Sequence, residues 1–258
     1  MNDYIYTIEE LSLNAWPSHK MEMYDGWLLR FSHNYTHRTN CVNIISPSKI
    51  ALSDKVLFCE NEYRNEKTPC IFKISPLTNP EIDSYLDKQQ YKIEHTTEVM
   101  TMPLSCFHPY LGHTKLETEA ETLVQVTDII TDDWIHNLFH LNGTMDPIHR
   151  KIVPAMFKAI PKKTIVVRIE DNQKMIASGL GILDRDHIGL YAIYVDAQYR
   201  KRSLGNMICS RIIQEAMRHG ASRAYLQVVE GNHTARKLYE GLGFQYLYTY
   251  WFRSKPVL

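Results

Sequence analysis

The sequence predicts an α/β (α+β) protein in two parts, a smaller N-terminal α/β domain over 1–112 and a larger one over 118–258. Three observations carry this reading. The apolar run HIGLYAIYV passes through Arg200-Lys201-Arg202-Ser203-Leu204-Gly205 directly into an amphipathic helix. A second strand leads to Asn232 and a helix closed by Gly243-Phe244. The first half ends in a similar order of helix, Tyr91 and strand.

Element by element, Thr7 and Glu10 make a capping box for a short first helix that ends near Trp16-Pro17. GWLLRFS and TNCVNIIS read as strands separated by a polar turn at His33-Asn34-Tyr35. Trp27, Leu29 and Phe31 share one face at period two, the mark of a half-buried strand. Residues 50–64 read as helix and TPCIFKIS as strand. Asn79-Pro80 starts a helix ending near Gln89, and KIEHTTEVMTMPL alternates as a strand. Loop chemistry around Ser105–Thr118 joins the two parts.

The second part opens with the strand LVQVTDI. Thr131 or Asp132 caps a helix through Trp134 and Leu138, and Asp146-Pro147 starts another, which Pro154 interrupts or kinks. TIVVRIED and KMIASGLGILD form a hairpin around Asp171-Asn172, and HIGLYAIYV follows. In helix 203–219 the apolar stripe is Leu204, Met207, Ile208, Ile212 and Ala216, with Ser203 as N-cap and Gly220 as left-handed terminator. The closing strand YLYTYWFRS is apolar enough to pair with another copy of the chain, so a homodimer is an expectation.

The chemistry concentrates at residues 191–244. First-turn amides of a helix have no intrahelical partner, and the peptide dipoles place partial positive charge there. Arg200, Lys201 and Arg202 add formal charge at the same spot, so a diphosphate-bearing ligand would be well received. A basic turn before a helix also occurs as plain solvated surface. The downstream order of strand, Asn232, helix, Tyr239 and Gly-Phe separates the two readings. Leu238, Leu242 and Phe244 read as ordinary core, and Cys209 as a small buried hydrophobe.

On these residues the chain resembles the GNAT superfamily of acetyl-CoA-dependent N-acetyltransferases. V-D-A-Q-Y-R-K-R-S-L-G-N-M is similar to that superfamily's R/Q-x-x-G-x-G/A motif, and N-H-T-A-R-K-L-Y-E-G-L-G-F to its N-x-x-A-x-x-L-Y-x-x-x-G-F block. The resemblance runs from about Leu123 onward and departs at Ser203, which stands where the first motif glycine belongs. It implies a mixed, mostly antiparallel sheet flanked by helices, and an N-terminal half that is a partial, degenerate copy of the same fold. Acetyl-CoA is the implied co-substrate, held by Ile193, Tyr194, Val195, Arg200, Lys201, Arg202, Ser203, Leu204, Gly205, Asn206, Asn232 and Lys237. Tyr239 matches the family tyrosine and is the expected general acid. The general base stays open: Glu230 leads, with Tyr191 and Asp196 beside the cofactor strand and His187 in the DRDH turn, facing water. Layout alone places the acceptor site along Trp134 to Phe157. The implied function is acetyl transfer to a primary amine. The reading from a different class is a non-catalytic acyl-CoA binding or sensing module.

Composition excludes several other classes. Apolar residues make up 44% and charged residues 22% of the 258, as in an ordinary globular protein. The 29 basic and 29 acidic residues cancel, so no general attraction to nucleic acid or an anionic membrane is expected. No apolar run has the length of a membrane span, and the acidic N-terminus lacks a secretory core. Five cysteines without a C-x-x-C pair point to a reducing cytoplasm, and twelve histidines without H-E-x-x-H spacing predict no metal.

Overall fold

A computed structural model describes residues 2–110 and 122–256. In chain order the elements are α1 (Asn2–Ala15), β1 (Lys20–Tyr24), β2 (Trp27–Phe31), β3 (Val42–Ile44), α2 (Leu52–Asn65), β4 (Cys70–Ile74), α3 (Pro80–Lys88) and β5 (Lys92–Pro103). Then come β6 (Thr122–Thr127), α4 (Asp132–Asn142), α5 (Pro147–Lys158), β7 (Lys163–Asp171), β8 (Lys174–Asp184) and β9 (His187–Val195). The chain ends with α6 (Leu204–Arg218), β10 (Arg223–Val229), α7 (His233–Leu242) and β11 (Gln245–Lys255).

These elements form two compact units, neither of them one stretch of chain. The first comprises Met1–Glu98, Asp146–Ile160 and Tyr248–Leu258, and the second Val99–Met145 and Pro161–Leu247. The boundary expected between 112 and 118 falls outside the described residues. In the first unit the strands run β1-β2-β3-β4-β11. Pairing is antiparallel except for β3 with β4. Its core joins Trp27, Leu29, Val56, Tyr63, Phe72, Leu86 and Tyr91. In the second unit the order is β10-β9-β8-β7-β6, antiparallel except for β10 with β9. Its core packs Ile165, Val167 and Ile169 of β7 and the β9 face against the Leu204–Ala216 stripe of α6.

The local reasons agree with the sequence in most places. Thr131 accepts a bond from the Trp134 amide, Asp146 from those of Ile148 and His149, and Asn79 from that of Glu81. The β7–β8 hairpin turns on Asn172 and Gln173, both with positive φ, as a two-residue turn of matching twist requires. Gly220 and Gly243 are left-handed at the ends of α6 and α7.

Five expectations are corrected. The first helix begins at Asn2, not at Thr7, whose hydroxyl instead donates back to the Asp3 carbonyl within the helix. The strand β1 was missed, because KMEMY leaves Met21 and Met23 outward on an exposed edge. Of the two outcomes expected at Pro154, interruption does not occur, since α5 runs on to Lys158. His187 is buried at the start of β9 and does not face water. The strand β11 lies between β4 and β5, with Trp251 opposite Ile74, so its hydrogen bonds are used within the chain and the pairing argument for a dimer falls.

All five cysteines are free thiols, and only Cys106 is exposed. Burial pushes the thiol of Cys41 up to about 11 and those of Cys59 and Cys209 up to about 12. Iodoacetamide treatment of the folded protein at pH 8, read by peptide mass spectrometry, should therefore label Cys106 and spare the other four.

Candidate active site

The site is built at one end of β9. The parallel ladder between β9 and β10 pairs His187 with Arg223 and continues to Leu190 with Leu226. Among the described residues it goes no further, so the two strands part beyond that point. On its other side β9 shifts register against β8 between the Ser178/Tyr194 and Leu180/Tyr191 pairs. Ala192 sits there at φ 48, a β-bulge in which two residues of β9 face one of β8. The bulge bends the strand where Ile193, Tyr194 and Val195 follow. Ile193 and Val195 pack against the core, and Tyr194 is 39% exposed.

After Val195 the chain makes a braced turn into α6. The Asp196 carboxylate accepts from the Gln198 amide and pairs with Lys174 at 3.0 Å, which holds its pKa below the usual carboxylate range. The Tyr199 hydroxyl donates to Asp171 at 2.7 Å, and the Arg202 guanidinium lies over the Tyr199 ring. Arg200 Nε donates to the Val195 carbonyl. Arg200, Lys201 and Arg202 are exposed, and among the described residues none of them forms an ion pair. The first intrahelical bond of α6 runs from the Met207 amide to the Ser203 carbonyl. The amides of Leu204, Gly205 and Asn206 precede it and have no acceptor among the described residues. A cluster of free amides with three exposed cations beside it fits a diphosphate. Leu204 contributes only its backbone, since its side chain is 2% exposed in the core.

Ser203 occupies the N-cap position at φ 61, and its side chain makes no capping bond. The expected hydroxyl cap is thus absent. The left-handed backbone explains why a glycine suits this place, since an L-residue there costs about 1–2 kcal/mol. Ser203→Gly should therefore raise stability by up to about 1 kcal/mol after the entropy of the more flexible unfolded chain is subtracted. That is a Tm rise of roughly 2–4 °C in a thermal melt, and unchanged or lower stability would contradict it.

Gly205 is needed for a different reason. A Cβ there would lie 2.8 Å from Leu238 Cδ1, so this glycine sets how closely α6 meets α7. On α7, Asn232 accepts from the Ala235 amide and caps the helix, while Lys237 is exposed. Tyr239 packs against the core, its ring 6.1 Å from that of Phe244. Burial raises its phenol pKa, and among the described residues its hydroxyl has no hydrogen-bond partner. Glu230 lies in the exposed turn between β10 and α7.

The alternative bases are committed elsewhere. Asp196 braces the turn, and the Tyr191 hydroxyl bonds that of Tyr225 at 2.9 Å in a buried pair. His187 Nδ1 meets Asp186 at 2.8 Å at the opposite end of β9, roughly 25 Å of strand from Val195. Burial lowers its pKa. The proposed acceptor stretch divides, with α4 in the second unit and α5 in the first. Within the second unit, Trp134 Nε1 of α4 donates to Ser178 at 2.7 Å.

Three parts of the site escaped the sequence reading: the Ala192 bulge, the Tyr199–Asp171 brace, and two glycines of β8. A Cβ on Gly179 would sit 2.3 Å from Ile208 Cγ2, and one on Gly181 2.3 Å from Ile212 Cγ2. These glycines let α6 lie close on the sheet, and glycine inside a strand was the available signal.

Residues 124–244 match the acetyltransferase (GNAT) family. The C-terminal region of this chain belongs to that family. An "uncharacterized N-acetyltransferase YobR" of Bacillus subtilis (strain 168) is 25% identical over 261 residues, 98% of this chain and 99% of the relative. The [ribosomal protein bS18]-alanine N-acetyltransferase of Escherichia coli (strain K12) is 32% identical over 77 residues, which span 30% of this chain and 52% of that protein. Among solved structures, a GCN5-related N-acetyltransferase from Kribbella flavida superposes with a TM-score of 0.69 at 13% identity, covering 98% of this chain and 95% of that one. A tandem GNAT protein from the clavulanic acid biosynthesis pathway superposes at 0.61 with 10% identity, over 83% and 75% of the two chains. Likeness at such low identity speaks to the fold. The GNAT family and its relatives make this chain an acyltransferase. Among the described residues, no helix is long and apolar enough to cross a membrane.

Proposed function

We propose that this GNAT protein transfers an acetyl group from acetyl-CoA to a primary amine of a small molecule, amino acid or peptide, by direct attack in a ternary complex. The observation that carries the reading is the parting of β9 from β10 beside the free amides of Leu204, Gly205 and Asn206. The turn 200–206 takes the diphosphate, with Lys237 adding charge. The backbone of Ile193, Tyr194 and Val195, turned by the bulge, faces the pantetheine arm and polarises the thioester carbonyl.

The neutral amine is the attacking form, and a lysine-like amine is mostly protonated below about pH 10. Glu230, at the mouth where β10 ends, takes the amine proton through water. The new N–C bond forms as the C–S bond breaks, and the sulfur leaves with the electron pair. Tyr239 hands that sulfur a proton, and solvent returns it to the phenol. Asn232 positions this acid by fixing the start of α7. Residues 1–112, which supply most but not all of the first unit, derive from a degenerate GNAT copy, a reading that the tandem arrangement of one solved neighbour supports. The free state of all five cysteines supports a reducing, cytoplasmic setting.

The test combines acetyl-CoA binding with release of free CoA across a panel of amines, using the full chain. At about 100 times the dissociation constant, binding should add roughly 2.7 kcal/mol of stability, a shift on the order of 5–10 °C. Stabilisation with CoA release in the presence of one amine class is the expected result. Stabilisation without release from any amine would leave an acyl-CoA binding module, and no shift at millimolar ligand would remove both readings.

A further inference from the structure

Far from the acyl-transfer site in sequence, the first unit brings two imidazoles and a carboxylate to one point. Nitrogen atoms of His37 and His95 and a carboxylate oxygen of Glu94 all lie within 4.8 Å of one another. His37 belongs to a short 3-10 turn (His37–Thr39), and its Nε2 is 3.0 Å from Glu94 Oε2. Its ring meets that of His95 edge-on, with centroids 4.3 Å apart. The Phe252 ring, 5.2 Å away, gives it a further wall.

Glu94 and His95 are adjacent in β5, and adjacent strand residues ordinarily point to opposite faces. Here they do not. His95 stands at φ 48, a left-handed conformation that an L-residue adopts only at a cost, and the Thr97 hydroxyl bonds the His95 carbonyl at 2.8 Å. That break in alternation lets both side chains reach His37. An ordinary ion pair would need only His37 and Glu94, and would leave the kink at His95 without a purpose.

We propose that His37, Glu94 and His95 form a site for a zinc-class divalent ion, with remaining coordination positions open to water. Two imidazoles with one carboxylate suit zinc, cobalt, nickel or copper, whereas magnesium and calcium prefer all-oxygen sets. A tetrahedral ion about 2.0–2.1 Å from each ligand spaces the ligand atoms by roughly 3.3 Å. The His37–Glu94 separation of 3.0 Å is already near that value. Glu94 and His95 are exposed and have room to close on the ion. A bound ion would clip the turn to a strand 57 residues further along the chain. No local motif could announce such a site, because its halves are so far apart in sequence.

The test uses the full chain, free of any affinity tag and stripped by chelator, titrated with Zn²⁺ in a calorimeter and with Co²⁺ by visible absorption. One equivalent of Zn²⁺ and a cobalt spectrum of a low-coordinate site are expected, with a rise in Tm. Glu94→Gln and His95→Asn are exposed substitutions, and each should weaken Zn²⁺ by at least about tenfold. The control is His136→Gln with His140→Gln, because the Nε2 atoms of those exposed rings lie 3.1 Å apart on α4 and offer the competing imidazole pair. Binding that survives in the control but not in Glu94→Gln or His95→Asn supports the site. Binding lost only in the control, or no binding by the unaltered chain, overturns it.

Discussion

Tyr239→Phe should lower the turnover number by about 10²-fold or more while changing acetyl-CoA affinity by less than about twofold. The ring packs in the core with Phe244, and phenylalanine keeps that contact. Among the described residues the hydroxyl holds no protein partner, so its removal strands no buried group. A loss of rate without loss of fold or binding then belongs to the missing proton. The pH profile adds a second check. Burial raises the phenol pKa, so Tyr239 keeps its proton throughout the working range. The rate should climb with pH as the amine or its base loses a proton, and should not fall through loss of the acid below about pH 10. An unchanged rate in the phenylalanine variant would end the acid assignment.

Gly179→Ala should cost about 1–3 kcal/mol and weaken acetyl-CoA binding at least about tenfold. The added methyl would meet Ile208 Cγ2 at 2.3 Å and Ile193 Cδ1 at 2.7 Å. An isoleucine Cγ2 hangs on the stiff first torsion and cannot swing aside as a long side chain would. Ile208 is fully buried on α6, so the helix itself must rise from the sheet. The amides of its first turn would rise with it, and the same methyl would press on Ile193 in the cofactor strand. A Tm lower by roughly 2–12 °C is expected, with the affinity read from the ligand-induced shift. A lower Tm with full affinity would show that the seat of α6 does not fix the phosphate turn.

Much of the second unit was legible because its signals are local. The apolar stripe of α6 was visible one residue at a time, as were the Thr131 and Asp146 caps and, one residue early at Asp171-Asn172, the β7–β8 turn. The same holds for the order of strand, turn, helix, strand and helix from Tyr191 to Phe244. What could not be read were events that need a partner distant in sequence. The Tyr199–Asp171 brace spans 28 residues, and the use of Gly179 depends on a helix that begins 25 residues later. His187 looked solvent-bound in its charged turn, yet the turn folds it inward against Asp186. Thr7 carried the right letters for a cap but lies one turn inside a helix that began earlier. Pro154 was read from its local cost, which α5 tolerates without ending.

The way the chain passes from unit to unit bears on heredity as well as on folding. It leaves the first unit after Glu98, returns for Asp146–Ile160, and returns again for its last residues from Tyr248. No single contiguous stretch of the gene encodes either unit by itself. A reading frame started at residue 118 would carry β11 without β4 and α5 without Trp16, whose ring meets Phe157 at 5.2 Å. A fragment begun at residue 118 therefore completes neither unit, and tests of the proposed transfer call for the full chain.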